Sequence, residues 1–282
     1  MNEITLFSDS TCDLSAAILE KNNIKIIPLN VEFGEQSFKD GIDLNSEQLY
    51  GKVEKLGCLP KTSAPSPAAF YQAFEGELAE GKDVVYIGLS STISSTFQNA
   101  SMAAKELDIS RIHVIDSRNL CSAIGLHVIS AAEYIREGLS AKEVADKVRN
   151  DIPKTVSYFM VDTLDYLHMG GRCSGLQSFV GGILRMKPII KVEDGHLNVV
   201  HKARGKNKGI EYLVNRIRED QNRIRAEKMI LTHSFGLDSI RKLEDSLRCI
   251  DIGGRHRVEQ AGCVISSHCG PGTIGVFYIP KE

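Results

Sequence analysis

Residues Ser90-Ser91-Thr92-Ile93-Ser94-Ser95-Thr96 carry a hydroxyl at every position except Ile93. Capping the next helix uses one or two such side chains. The surplus suits hydrogen bonding to an anionic or otherwise oxygen-rich head group. A second hydroxyl turn, Ser8-Asp9-Ser10-Thr11, follows the first apolar run, whereas Asp13 and Ser15 read as caps of the next helix. His268 is flanked by Cys263 and Cys269 and precedes the sharp turn Gly270-Pro271-Gly272. Backbone N–H groups in such a turn can face a ligand anion.

Several familiar chemistries fail on context. Gly76 to Lys82 nearly spells a phosphate loop, but Asp83 stands where Ser or Thr is required and a strand follows instead of a helix. Gly270-Pro271-Gly272-Thr273-Ile274-Gly275 matches G-x-G-x-x-G, yet it too leads into a strand and leaves no room for the ribose-binding acid. No G-x-S-x-G elbow occurs. The Cys and His spacings around His268 match no structural zinc pattern. A hydrolase or acyltransferase, with Ser94 or Ser91 attacking, His268 as base and Asp9 behind it, stays open on residue types alone. A regulatory module also stays open, because the 201–228 window holds nine basic and four acidic residues, with Lys202, Arg204, Lys206 and Lys208 leading it. A solvated face is the ordinary meaning of such a run. No helix-turn-helix or aromatic platform accompanies it, so no nucleic-acid partner is expected.

The elements that must position these groups alternate. Short apolar runs at 4–7, 24–28, 83–88 and 112–115 are separated by helical patterns at 14–21, 46–56, 67–80, 94–107, 120–137 and 140–151. The runs at 31–33 and 36–39 read as a hairpin. This alternation predicts a mainly parallel α/β sheet, with ligands beyond the carboxyl ends of its strands. Asp151-Ile152-Pro153 marks the expected boundary between an N-terminal α/β domain, 1–153, and a C-terminal one, 154–282. The second half mixes strands at 156–161, 228–232, 255–260 and 274–279 with helices at 206–224 and 236–249. A hairpin of 188–193 and 197–203 turns at Asp194-Gly195.

The 282 residues are 42% apolar and 25% charged with a formal charge of −2, an ordinary globular composition that favours no polyanionic partner. The seven cysteines, Cys12, Cys58, Cys121, Cys173, Cys249, Cys263 and Cys269, are odd in number and form no Cys-x-x-Cys, so they read as reduced thiols. No segment has the apolar length of a membrane span, and Met1 to Thr5 does not begin like a signal peptide. The expectation is a cytoplasmic protein without integral membrane contact.

Six motifs in order resemble one family. Thr62-Ser63-Ala64-Pro65-Ser66 resembles its T-S-x-P-S loop, and the 90–96 run its S-S-x-L-S-G-T segment. Gly171-Arg172-Cys173-Ser174 is similar to G-R-[IV]-S, and Lys187-Pro188 to the K-P that follows. Ala203-Arg204-Gly205 resembles the basic turn, and His268-Cys269-Gly270-Pro271-Gly272 the closing H-x-G-P-G. These are the marks of the DegV family, bacterial fatty-acid-binding proteins that serve as binding subunits of fatty-acid kinase.

The resemblance implies a two-domain DegV-like α/β fold, its first domain built on a mainly parallel sheet and its second on a mixed one. A long-chain fatty acid would lie in a tunnel between them. It assigns the carboxylate to Thr62, Ser94 and His268, with Ser63, Ser95, Arg172 and Gly270 around them. The chain would need no cofactor and would not itself be an enzyme. A separate ATP-dependent kinase subunit, docking at Arg204 with Lys202 and Lys206, would convert the bound acid to acyl phosphate for phospholipid synthesis. Helix 120–137 and segment 176–186 are the candidate tunnel walls. The departures from the family pattern are Ile93 for Leu, Cys173 for a β-branched residue, and Ser95 for Gly; Ser95 would be strained if its position requires a positive φ.

Overall fold

A computed structural model describes residues 2–172, 186–252, 254 and 256–281. The first half runs β1 (Ile4–Asp9), α1 (Ala16–Lys21), β2 (Ile24–Ile27), β3 (Asn30–Phe33), β4 (Gln36–Lys39), α2 (Ser46–Leu56) and β5 (Lys61–Ser63). It continues with α3 (Pro67–Ala79), β6 (Asp83–Gly88), α4 (Thr96–Leu107), β7 (Ile112–Asp116), α5 (Ser122–Arg136) and α6 (Ala141–Asp151). The second half runs β8 (Val156–Met160), α7 (Asp165–Met169), β9 (Met186–Glu193), β10 (His196–Arg204), α8 (Lys206–Asp220) and β11 (Met229–Ser234). It ends with α9 (Leu237–Leu247), β12 (Arg257–Gln260), α10 (Cys263–Cys269) and β13 (Thr273–Tyr278).

Strands β2-β1-β6-β7 form a parallel sheet, the arrangement that alternating strands and crossover helices require. The 31–33 and 36–39 runs do pair as a hairpin, and β5 joins them in a three-stranded antiparallel sheet, β4-β3-β5. The second-half sheet has the order β10-β9-β8-β13-β11-β12 and is antiparallel except for β11–β12, hence mixed. Asp194 and Gly195 both take positive φ, 51° and 83°, the pairing that a tight two-residue hairpin turn demands.

Local chemistry explains the sharpest boundaries. The Asn45 side chain accepts from the Gln48 N–H while the Gln48 side chain answers the Asn45 N–H, a capping box that starts α2; Gly57 closes it in the left-handed conformation. Ser140 and Glu143 open α6 in the same way.

Helix α5 is different: Ser122 through Ala132 are all buried. A helix apolar on every face belongs inside, and α5 packs against β1 and β6 on one side and β11 and β13 on the other. One core cluster accordingly draws Leu6, Val85 and Ile124 together with Phe159, Ile190 and Phe277. The two domains share an interior.

Three short elements differ from the sequence expectation. Thr62 and Ser63 sit in strand β5 and not in a loop. Asp165–Met169 is helical, and so is Cys263–Cys269. His268 therefore stands on the last turn of a helix, with the Gly-Pro-Gly turn beyond it. The Ser8-to-Thr11 turn is also not a ligand rim. Asp9 is fully buried and accepts from the Leu89 N–H at 2.9 Å, the Tyr86 hydroxyl at 2.7 Å and the Thr11 N–H at 3.0 Å. It fastens the end of β1 to the start of the hydroxyl-rich loop after β6. Asp13 and Ser15 do not cap α1 through their side chains: Ser15 makes no such bond, and Asp13 is turned inward.

Candidate functional site

Three segments distant in sequence meet where the layers join. Strand β5 brings Thr62 and Ser63, the loop before α4 brings Ser94, and α10 brings His268. The Thr62 Oγ1 and His268 Nε2 atoms lie 2.8 Å apart. A small cavity opens beside them, about 40 Å³, lined by Thr62, Ser63, Ser94, Arg172 and His268 at its polar end. Leu29, Leu120, Phe159, Leu197 and Ile265 supply apolar wall. Five of the seven expected ligand residues thus converge.

The other two border the site without lining the cavity. Ser95 precedes α4 with φ −78°, an unstrained conformation, so the position does not require glycine. Gly270 ends α10 at φ +76°, and a Cβ there would meet the Tyr166 ring at 2.6 Å, so both its backbone and its space demand glycine.

Each polar group has a distinct environment. Ser63 Oγ donates to Glu32 Oε1 at 2.6 Å. Ser94 Oγ lies 2.8 Å from Thr96 Oγ1, inside its own loop. Arg172 spans the site: its Nη1 donates to the Gly170 carbonyl at 2.6 Å and its Nε to the Ile93 carbonyl at 3.3 Å. It thereby ties the end of α7 to the hydroxyl loop.

Burial lowers the His268 pKa to about 4, and the neighbouring Arg172 charge pushes the same way. His268 Nδ1 is buried and has no hydrogen-bond partner among the described residues. A neutral imidazole with one nitrogen engaged and the other unpaired is equipped to share a hydrogen bond with a ligand oxygen. It is poorly equipped as a general base, because its basicity is suppressed and no carboxylate is bonded to it among the described residues. Ser94 bonds Thr96, and Ser91 donates to Asp116 at 2.6 Å, so neither serine is bonded to His268.

Sequence reasoning passed over the residues that hold α10. The Asp40 carboxylate accepts from the Cys263 N–H at 2.7 Å and the Val264 N–H at 3.4 Å, while Asp13 accepts from the Gly262 N–H at 2.9 Å. Both come from the first domain, and nothing local in their sequence neighbourhoods advertises a helix more than two hundred residues away. Gly170 was also missed: a Cβ there would lie 2.2 Å from His268 Nδ1, so only glycine leaves the imidazole its place.

The basic turn lies nearby. Arg204 closes β10 and is exposed; Lys206 opens α8 and pairs with Asp162 at 3.3 Å. Lys202 is half-buried on β10. The Lys206 ammonium also sits 3.1 Å from where a Cβ would stand on Gly272, so this turn abuts the Gly-Pro-Gly turn that follows His268. Of the expected tunnel walls, Leu120 beside α5 lines the cavity, whereas 176–185 lies outside the described residues, as does Cys173.

Comparison with known proteins agrees with this architecture. A family model described as "Uncharacterised protein, DegV family" matches residues 3–281. A DegV domain-containing protein of Caldanaerobacter subterraneus is 35% identical over 281 residues, covering all of both chains. A Thermus thermophilus structure, described as fatty acid binding of a DegV family protein, superposes with a TM-score of 0.92 at 29% identity, covering 99% of this chain and 100% of that one. DegV of Bacillus subtilis, described as a fatty acid binding protein, gives 0.89 at 29% identity over 100% of both. The chain belongs to the DegV family.

Proposed function

We propose that this chain binds a long-chain fatty acid, with the carboxylate at Thr62, Ser94 and His268 and the tail between the two domains. The observation that carries the reading is the seam itself: apolar walls from both domains converge on one polar end built of hydroxyls and a neutral imidazole. The fatty-acid-binding structures from Thermus thermophilus and Bacillus subtilis support it. A C16 tail has about 14 methylenes, and at ~0.8 kcal/mol each their burial supplies up to roughly 11 kcal/mol. The head group then needs no buried salt bridge with its desolvation cost. The cavity of about 40 Å³ is far below the ~300 Å³ at which ordinary small-molecule pockets begin, so loading must part the side chains between the layers.

The clamp is uncharged apart from the flanking Arg172, and it leaves a carboxylate oxygen free to react. On this reading the protein presents the acid to a separate ATP-dependent kinase, which returns an acyl phosphate for phospholipid synthesis. The Arg204 turn is the docking surface, and the chain works as a cytoplasmic carrier and not as a catalyst. Native mass spectrometry of the purified protein, followed by organic extraction, tests the core of the proposal. A stoichiometric fatty acid is expected. A protein that carries none and takes up none when offered would overturn it.

A further inference from the structure

Behind the head-group cavity lies a second one of about 20 Å³, between the six-stranded sheet and the α5–α10 layer. The two share Leu120, Phe159, Ile265 and Cys269 as walls, so they are successive widenings of one seam. The floor of the second is a row across the sheet in which Phe159 pairs with Gly275 and Gly275 with Thr232. Gly275 leaves a gap in that row. Two residues along the same strand face, the buried Phe277 ring folds back into the gap. A Cβ on Gly275 would stand 2.6 Å from Phe277 Cε2 and 2.9 Å from Cζ, closer than a carbon can sit. Beyond the gap the seam turns polar, where Thr232 Oγ1 and Ser122 Oγ bond to each other at 2.6 Å.

We infer that Phe277, bedded on Gly275, is the stop that sets acyl-chain length. The tail runs from the Thr62–His268 end past Phe159, and its methyl terminus halts at the Phe277 ring, short of the hydroxyl pair. This rests on the acyl-binding reading and adds the residue pair that selects among acids. The geometry fixes the direction of two substitutions. Gly275→Ala forces the ring off its bed and into the seam, shortening the channel. Phe277→Leu removes the aromatic plane and deepens it. Each methylene gained or lost from burial changes affinity roughly fourfold.

The test is competition among saturated acids from C10 to C18 for the purified full-length chain, read by native mass spectrometry. Gly275→Ala is expected to lower the C16-to-C12 preference at least tenfold, and Phe277→Leu to move the optimum toward longer chains. If Gly275→Ala does not fold, the shift in Phe277→Leu decides alone. Variants that bind more weakly throughout but keep the wild-type optimum would overturn the stop and leave the acyl reading standing. A wild-type protein that binds no member of the series would overturn both.

Discussion

At the residue scale, the proposed carboxylate clamp centres on one neutral imidazole held against one hydroxyl. Hydrogen bonds to charged groups contribute about 1.5–3 kcal/mol. His268→Ala and Thr62→Val should therefore each lower affinity for a fatty acid about 10- to 100-fold while barely changing affinity for its methyl ester. Calorimetric titration with both ligands checks this; equal losses for acid and ester would mean that the pair shapes the channel and does not hold a carboxylate. The pKa makes a separate prediction. The folded value, about 4, lies below the ordinary 6.5, so the stability His268 contributes is fully present above pH 6.5 and is lost as pH falls through 4. Its imidazole Cε1 resonance in the ligand-free protein should titrate near 4, and a midpoint near 6.5 would contradict the buried, Arg172-flanked environment. Gly170→Ala should reproduce the His268→Ala binding defect without touching a polar group, because its methyl takes the place of Nδ1. Residue types alone marked the 90–96 hydroxyl run and the turn beside His268; Thr62 was reached only through the family motif it resembles, and the structure brings it within 2.8 Å of His268. Gly170 and the buried role of Asp9 were not legible, because steric room and inward rotation leave no trace in residue type.

At the element scale, α10 is the piece that sequence patterning could not find. Cys263-Val264-Ile265-Ser266-Ser267-His268-Cys269 has no strong helix former, and nearly all of it is buried, so it shows neither propensity nor amphipathic period. Tertiary contacts make it a helix. Asp40 and Asp13 take its first N–H groups, and Ser46 Oγ donates to the Ala261 carbonyl at 2.5 Å. By contrast, α2 and α6 carry their own capping boxes and were readable to within a residue or so. Asp40→Ala should cost about 0.5–2 kcal/mol of stability, the usual worth of a cap, and should weaken acid binding more than ester binding because His268 loses its anchor. Asp13 adds a pH signature. Burial raises its pKa well above 3.8, so its contribution to stability is full below that value and is lost as pH rises through the folded pKa. Asp13→Asn keeps an acceptor for the Gly262 N–H and no longer titrates. Denaturant unfolding should show the variant gaining on wild type at pH 7 relative to pH 4.5; an equal difference at both pH values would refute the assignment.

At the scale of the whole molecule, the two sheets are joined by a common core and by clasps that bracket the seam. Thr92 Oγ1 donates to the Gly195 carbonyl, Arg118 donates to the Asp194 carbonyl at 2.8 Å, and Lys228 reaches Ser130 at 2.9 Å and Glu133. The parallel and mixed sheets were legible because strand spacing and crossover length dictate them; their shared interior was not, because the burial of α5 on both sides is a property of the assembled chain. The basic turn belongs to this scale too. Arg204 is exposed at the end of β10, touches neither cavity, and stands one residue from the left-handed Gly205 and two from Lys206, which abuts the turn beyond His268. On the proposed reading, a cation so placed steers an acidic partner toward the carboxylate site without contributing to the tail's burial, and such rim charges act on association rate and its salt dependence. Arg204→Ala should therefore retain a full complement of fatty acid and unchanged thermal stability, yet lose at least tenfold in acyl phosphate formed with a kinase subunit. Arg204→Lys should restore much of that loss at low salt. If the Ala variant came out of purification stripped of lipid, Arg204 would be part of the pocket; if it were phosphorylated at the wild-type rate, the partner would dock elsewhere.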